Sequence, residues 1–562
     1  MAFFLRRNQM PSLAEITAVP QIVIVDQTGP AVTLGTSPGS ACMIGEFVSG
    51  PFDPTEVGSG GEAQALYGPK VYPYFSQSAA DIQDGSQGGS GKYNGNGNLM
   101  LLGRTFRRLA IVRVDHEAVT TDQGTTKGAL TVTVTVAAAD QDVSSKTNKV
   151  IVVKAGTRFA NNAAFGSATA VYAASGDTVV PIGTLVTSNA LTLTIPCFPI
   201  RVVEPVVATA VAAIVNVLDP AIDNVAATTT ISAVNNATTL WPQGTGTTLA
   251  ARLEAQYVAA IGKTQPGSDV TSAIVVLWAA RRTQAIRQAL AANAVACSEM
   301  GRGRIVIVGA DPATANTAAA AATAKAAAIG LAAADGYAQP ADRVIVTFPK
   351  AKIKSVDLGN IAVSIDATSW MAGLLSNLSE EINPGVANEY MTDIVQVEDA
   401  FVTSPLAKQD YANLIAAGVC VLYNDRATGW QWMQGVTAAN SAVYPTRTPI
   451  KRRRMADLIQ DTLAEVAAPY QKLPGTTERV DAFVAAAEAF LEGLKSPNVP
   501  AAQRIVDYYL DPSSGNTDQL TALGIFVIIT YVRLLPSMDY IVFNTQIGET
   551  VIIPSATAAA VG

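Results

Sequence analysis

The stretch AIVVLWAARRTQAIRQALAANAVACSEMGRGRIVIVGADP (residues 273–312) decides the fold. Its two apolar runs, AIVVLW (273–278) and RIVIVGADP (304–312), read as buried strands, and residues 281–300 between them carry a helical period. An Ala-rich helix over 313–334 and a third strand in DRVIVTFP (342–349) continue the order. Strand–helix–strand–helix–strand at this spacing predicts a right-handed parallel α/β unit. A helix near 407–416 and a strand at GVCVLYN (418–424) extend it, and the amphipathic LAARLEAQYVAAIG (249–262) precedes it.

Toward the N-terminus, SACMIGEF (40–47) and RLAIVRVD (108–115) are strand candidates, and DGSQGGSGKYNGNGN (84–98) is a surface loop by composition. Between 118 and 240 the character changes. LTVTVTV (130–136) alternates as a half-buried strand should, KVIVVKAG (149–156) and ALTLTIP (190–196) follow, and one short helix is expected at 206–218. Chain on both sides reads as α/β, so this β-rich region is predicted to be an insertion.

Toward the C-terminus, Lys451, Arg452, Arg453 and Arg454 open a long helix to about residue 470. A second helix spans 477–495, a third segment lies at 501–510, and GIFVIITYVRLL (524–535) reads as a long buried strand. Both ends carry short β-branched runs with nothing local to pair with: QIVIVD (21–26), then DYIVFNTQ (539–546) and ETVIIP (549–554). The predicted class is α+β and multidomain: an α/β core, a β-rich inserted domain, a C-terminal α/β domain and extended terminal strand arms. The boundaries are an arm over 1–30, core over 31–117 and 241–440, insertion over 118–240, C-terminal domain over 441–537 and a second arm over 538–562.

Composition narrows the function. The 562 residues carry 38 Lys and Arg against 45 Asp and Glu, a net charge of −7. That balance argues against a nucleic-acid coat protein, which needs a large excess of cations. Charged residues are only 15% of the chain, below the roughly 25% of typical domains, so the chain either hides much of its surface, as extensive subunit contact would, or presents an unusually bland one. Cys42, Cys197, Cys297 and Cys420 are scattered and read as small buried hydrophobes. The one histidine, His116, has no Ser or Cys motif near it and reads as a charged strand end.

GSGKY (89–93) resembles the end of a phosphate-binding loop, but Ser86 and Tyr93 stand where the first glycine and the metal-binding hydroxyl belong. NGNGNLM lacks a third glycine, and GADPAT follows its strand without a glycine-rich turn. The pairs Glu380-Glu381 and Glu398-Asp399 read as solvated neighbours, and Trp430 and Trp432 as residues at an interface or under a loop. No catalytic, cofactor-binding or metal-ligating residue is predicted. MAFFLRRNQMPS has no long apolar core, and the apolar stretches 206–218 and 522–532 fall short of the ~20 residues of a bilayer span, so neither export nor membrane insertion is expected.

Several stretches, in order, resemble the landmarks of contractile tail sheath proteins of bacteriophages and related injection systems. GSACMIGEFVSGPFDPTEVGSGGEAQALYG (39–68) is similar to a strand, a GxxxxGP turn and a short helix ending in Tyr-Gly. INPGVANE (382–389) and DYANLIAAGVCVLYNDRATGWQWMQGVTA (410–438) resemble the helix, glycine turn and strand ahead of the family's C-terminal domain, and RRRMADLIQDTLAEVAAPY (452–470) its basic-started helix. WQWMQGVTA departs from the family by lacking an Arg-Thr pair after the glycine.

The resemblance implies a structural, non-enzymatic subunit that stacks as hexameric rings around a tail tube and contracts to drive that tube through the host envelope. It implies strand addition between subunits, here through Ile22, Val23, Ile24, Val25, Tyr540, Ile541, Val542, Phe543, Val551 and Ile552. It implies a tube-side C-terminal domain, and on that basis Lys451, Arg452, Arg453 and Arg454 are expected to contact the tube protein. The implied partners are other copies of the chain, the tube protein, and baseplate and tail terminator proteins, within a virion tail assembled in the host cytoplasm. No cofactor and no nucleic-acid partner is implied. Another self-assembling structural protein (capsid or surface-layer type) and an α/β enzyme with a β accessory domain are the alternatives.

Overall fold

The computed structural model describes residues 40–47, 50–68, 94–95, 99, 108–114, the strands between 130 and 235, 249–310, 341–354, 362–385, 391, 394–397, 408–425, 429–439, 448–495 and 503–536. Both expected arms, the helix at 313–334, His116, Glu398-Asp399 and the side chain of Cys197 lie outside the described residues.

The first part of the chain gives β1 (Ser40–Glu46), β2 (Thr55–Val57), α1 (Gly60–Tyr67) and β3 (Leu109–Val114). Between 130 and 235 follow β4 (Leu130–Val136), β5 (Val150–Val153), β6 (Arg158–Asn161), β7 (Val171–Ala174), β8 (Thr178–Pro181), β9 (Leu191–Pro199), β10 (Ala213–Val217) and β11 (Thr228–Asn235). The chain then returns to α/β order with α2 (Leu249–Gly262), α3 (Asp269–Ser272), β12 (Ile274–Ala279), α4 (Gln284–Glu299), β13 (Ile305–Gly309) and β14 (Val344–Phe348). Next come β15 (Ala351–Lys354), β16 (Ala362–Ile365), α5 (Thr368–Asn377), β17 (Ile394–Val397), α6 (Lys408–Ala416), β18 (Val419–Asp425) and β19 (Gly429–Trp432). The C-terminal part holds α7 (Ile450–Ala467), a 3₁₀ turn over Ala468–Tyr470, α8 (Thr477–Lys495), β20 (Ile505–Asp511), α9 (Asp518–Ala522) and β21 (Ile529–Leu534).

One sheet, ordered β19-β18-β14-β13-β12-β1-β3-β2, joins strands from before and after the inserted region. Its six inner strands run parallel, with β19 and β2 antiparallel at the edges. Every residue of β1, β3 and β13 is buried, so both faces of the sheet are covered. That coverage explains why these strands read as unbroken apolar runs instead of alternating ones. α2 and α4 pack together against the sheet, and α5 packs on β1, β12 and β13, where its Ser369 hydroxyl receives the Trp278 indole N–H at 2.9 Å. A three-stranded sheet, β16-β15-β17, lies beside this core.

The strands between 130 and 235 pair only among themselves. β10-β11-β4-β9-β7-β6 closes into an antiparallel barrel, with β6 pairing back to β10, and β5 and β8 form a separate pair. The β4–β9 register matches Val132 to Ile195 and Val134 to Leu193, with Thr133 opposite Thr194 and Thr135 opposite Thr192. Apolar and threonine rows therefore share faces, as the alternation of LTVTVTV predicts. The helix expected at 206–218 is corrected at Ala213–Val217, which forms β10. AIVNV is β-branched, and closing the barrel satisfies both of its edges, which outweighs the weak helical pattern.

A second apolar cluster belongs to the C-terminal part alone: Met455, Leu458 and Ile459 of α7, Ala487 and Leu491 of α8, Ile505, Leu510 and Val532 of β20 and β21. The segment at 501–510 gives the strand Ile505–Asp511. One further reading is corrected here: the long buried strand expected over 524–535 starts only at Ile529 and buries Val532 alone. No helix among the described residues is long and apolar enough to cross a membrane.

Candidate functional site

In an open parallel sheet, ligands bind beyond the carboxyl ends of the strands where the strand order reverses. Here that switch point lies between β1 and β12, because the chain moves from β1 outward to β3 and later from β12 outward to β13 and β14. The polar groups at this crevice are bonded to one another. Glu46 Oε1 accepts from Arg281 Nε at 2.7 Å, from the Tyr257 hydroxyl at 3.1 Å and from Asn94 Nδ2 at 3.3 Å. The Glu46 N–H donates to Asn94 Oδ1 at 3.1 Å. Glu46, Asn94 and Tyr257 are fully buried, and burial together with the Glu46 charge holds the Tyr257 hydroxyl well above the usual phenol range. Backbone fills the remaining space, since a Cβ on Gly45 would sit 2.7 Å from Gly95 Cα. One strand further on, Arg282 donates to Asp366 at 2.5 Å and to the Ala310 carbonyl at 2.6 Å, again buried. Among the described residues, the crevice that an α/β enzyme uses for substrate is here occupied by polar groups bonded to one another.

Cys42, Cys297 and Cys420 are buried free thiols, and burial pushes Cys42 and Cys420 up to about 12. Trp432 is buried against Trp370, ring centroids 5.2 Å apart, while the Trp430 carbonyl accepts from the Met391 N–H at 3.0 Å. Both tryptophans serve packing. Glu380-Glu381 is corrected: Glu380 is buried, and Arg504 reaches Glu380 at 3.1 Å and Glu381 at 3.6 Å.

The run Lys451–Arg454, expected to contact a tube protein, lies at the junction of α7 with the core. Lys451, Arg453 and Arg454 are buried inside the chain, and Arg452 is half-buried. Arg453 pairs with Asp457 one turn along α7 and lies 3.4 Å from Asp342. Asp457 takes both ends of the Arg343 guanidinium at 2.9 Å. Arg454 donates to the Leu375, Leu378 and Ser379 carbonyls at 2.7, 2.8 and 3.2 Å, closing the C-terminal end of α5. Burial pulls Arg454 below its ordinary value, opposed by Glu380 and Glu381. Lys451 Nζ reaches the Leu535 carbonyl at 3.4 Å. Lys451, Arg453 and Arg454 are therefore engaged within their own chain and do not form an exposed patch. Four residues of sequence cannot reveal Asp342 and Arg343, which lie more than 100 positions away.

The stretches that carry the sequence resemblance have specific packing reasons. Gly50 has φ +110°, and a Cβ there would meet the Tyr67 ring at 2.4 Å, so the second glycine of GxxxxGP makes room for the tyrosine that ends α1. The Tyr67 hydroxyl then donates to the Ile111 carbonyl of β3 at 3.1 Å. INPG and WQWMQG lock together: Asn383 Oδ1 accepts from the Gly385 and Gly435 N–H groups at 2.9 and 2.8 Å, and a Cβ on Gly435 would strike Pro384.

The small β20–β21 sheet is the most unusual surface. It is two-stranded, and its register sets Tyr509 opposite Tyr531, with the rings stacked 6.1 Å apart and about half-exposed. Its other face rests on α7 and α8 through Leu510 and Val532. No described strand pairs with either outer edge. The strand-forming residues expected to add to such an edge (Ile22, Val23, Ile24, Val25, Tyr540, Ile541, Val542, Phe543, Val551, Ile552) lie outside the described residues.

No protein-family model matches the chain, and no curated protein does. Solved structures do match. One, described as the cryo-EM structure of the anti-feeding prophage (AFP) baseplate, is 10% identical, covering 95% of this chain and 100% of that one, with a TM-score of 0.49. The AFP helical sheath in its contracted state is also 10% identical, covering 94% and 99%, with a TM-score of 0.49. The sheath complex of PVC, an extracellular contractile injection system, in its contracted state is 14% identical, covering 49% and 70%, with a TM-score of 0.37.

Proposed function

We propose that the chain is a structural subunit of a contractile tail sheath, stacking as hexameric rings around a tube and contracting to drive the tube through an envelope. The observation that carries the reading is the β20–β21 sheet, whose two outer edges no described strand occupies, in a chain whose two ends read as lone strands. Packing on α7 and α8 supports this sheet from one face, and its outer edges carry main-chain groups that can template a further strand. Added strands supply main-chain hydrogen bonds with little demand on sequence, so arms from neighbouring copies complete it. The ordered sequence landmarks support the same reading, and their glycines and tyrosine are held by close packing that tolerates little else. The partners are other copies of the chain, the tube protein, and baseplate and terminator proteins, in a tail assembled in the host cytoplasm. Because Lys451, Arg453 and Arg454 are engaged internally, the tube is held by other surface.

Contraction in this scheme needs no bound fuel. The extended array is a kinetic trap, and a surplus of about 1 kcal/mol per subunit, summed over many subunits, is enough to drive it.

Deleting residues 1–27 tests the reading, because the deletion removes a whole proposed added strand and none of the described core. The truncated protein should fold and stay in solution yet form no tubes under the electron microscope. Tubes from the truncated chain would overturn the strand-exchange account.

The strands from 130 to 235 pair only with one another, so we propose residues 118–240 as an inserted domain outside the assembly contacts. Replacing them with a short linker between Glu117 and Gln243 should leave melting of the core unchanged and assembly intact. Failure of that chain to fold would make the barrel part of the core.

A further inference from the structure

Helix α7 has two different long faces. Met455, Leu458 and Ile459 join the C-terminal apolar cluster, whereas Arg453, Asp457 and Arg454 point the other way, into the core. Across that second face sit Asp342 and Arg343 at the start of β14, Gly303 just before β13, and the carbonyl end of α5. A Cβ on Gly303 would lie 2.9 Å from the Asp457 carboxyl carbon, so only glycine lets this helix come so close. Apart from Ile450 at the start of α7, which joins the core apolar cluster, the contacts across this face are buried, directional, charge-assisted bonds. Apolar packing tolerates sliding and small rotations, whereas a guanidinium fork on a carboxylate accepts one arrangement. Buried ion pairs add little net stability compared with apolar packing, and their best-attested use is to fix register.

We propose that the Asp342–Arg343–Arg453–Asp457 network is an orientation lock, setting a single angle between the C-terminal part and the core sheet. Its consequence is that β20–β21 is presented in one direction to whatever pairs with it. The inference concerns one chain and does not depend on the sheath reading.

The test uses charge exchange in the full chain. Arg453→Asp with Asp457→Arg keeps the pair within α7 but sets arginine against Arg343 and aspartate against Asp342. Adding Asp342→Arg and Arg343→Asp inverts all four charges and restores complementarity. Dyes attached through bio-orthogonal residues at the exposed positions Ala292 in α4 and Ala489 in α8 report the angle by single-molecule energy transfer, at dilutions where the chain is monomeric. The native chain should give one narrow transfer peak, the double exchange a peak at least twice as broad or split, and the fourfold inversion one narrow peak again. If the double exchange does not fold, the fourfold inversion still decides: a folded chain with one narrow peak supports the lock. An unchanged peak in the double exchange, or a fourfold inversion that stays broad or unfolded, overturns it.

Discussion

Asp457→Ala is expected to destabilise the protein by about 3–5 kcal/mol, as removal of one partner from a buried ion pair does. Asp457 is the carboxylate shared by Arg343 and Arg453, and all three are buried. Truncation leaves the buried Arg343 and Arg453 guanidinium groups without the acceptor they share. Arg452→Ala, next to the same cluster on half-exposed surface, should cost under about 1 kcal/mol. Urea unfolding of the two variants checks the contrast. Similar midpoints for both would mean that the network contributes nothing.

The second large effect belongs to the polar groups beyond β12 and β13. Arg282→Ala removes the guanidinium paired with the buried Asp366 carboxylate and should also cost about 3–5 kcal/mol. Gly309→Val acts on the same pair from the other side. Its Cβ would fall 2.7 Å from the Asp366 carboxyl carbon and force the carboxylate off Arg282. Because both changes break one interaction, the double variant should lose clearly less than the sum of the two single losses. Additive losses would show that Gly309 and Arg282 act on separate parts of the core.

The core sheet was legible because its strands are buried on both faces, which prints each of them as a short unbroken apolar run. AIVVLW and RIVIVG gave β12 and β13, and LTVTVTV gave β4 through its alternation. What failed had partners far along the chain. AIVNV became a strand because β6 and β11 were there to close on it. Glu380 looked solvated because Arg504 and Arg454 approach it from 124 and 74 positions away. The arginine run looked like surface because a local reading sees four cations opposing a helix dipole and cannot see Asp342, Arg343 or the carbonyls that end α5. The run was a sound signal of strong interaction, and its target was the chain itself. The polar groups at the switch point left no sequence signal, since Glu46, Asn94, Tyr257 and Arg281 are scattered and each is ordinary alone.

The central claim is that this chain is built to polymerise around an axis. Negative-stain electron microscopy of the purified full-length protein tests it most directly. The account predicts tubes or stacked rings of one even diameter with sixfold end views. Closed shells, flat lattices or particles that stay single at high concentration would contradict it.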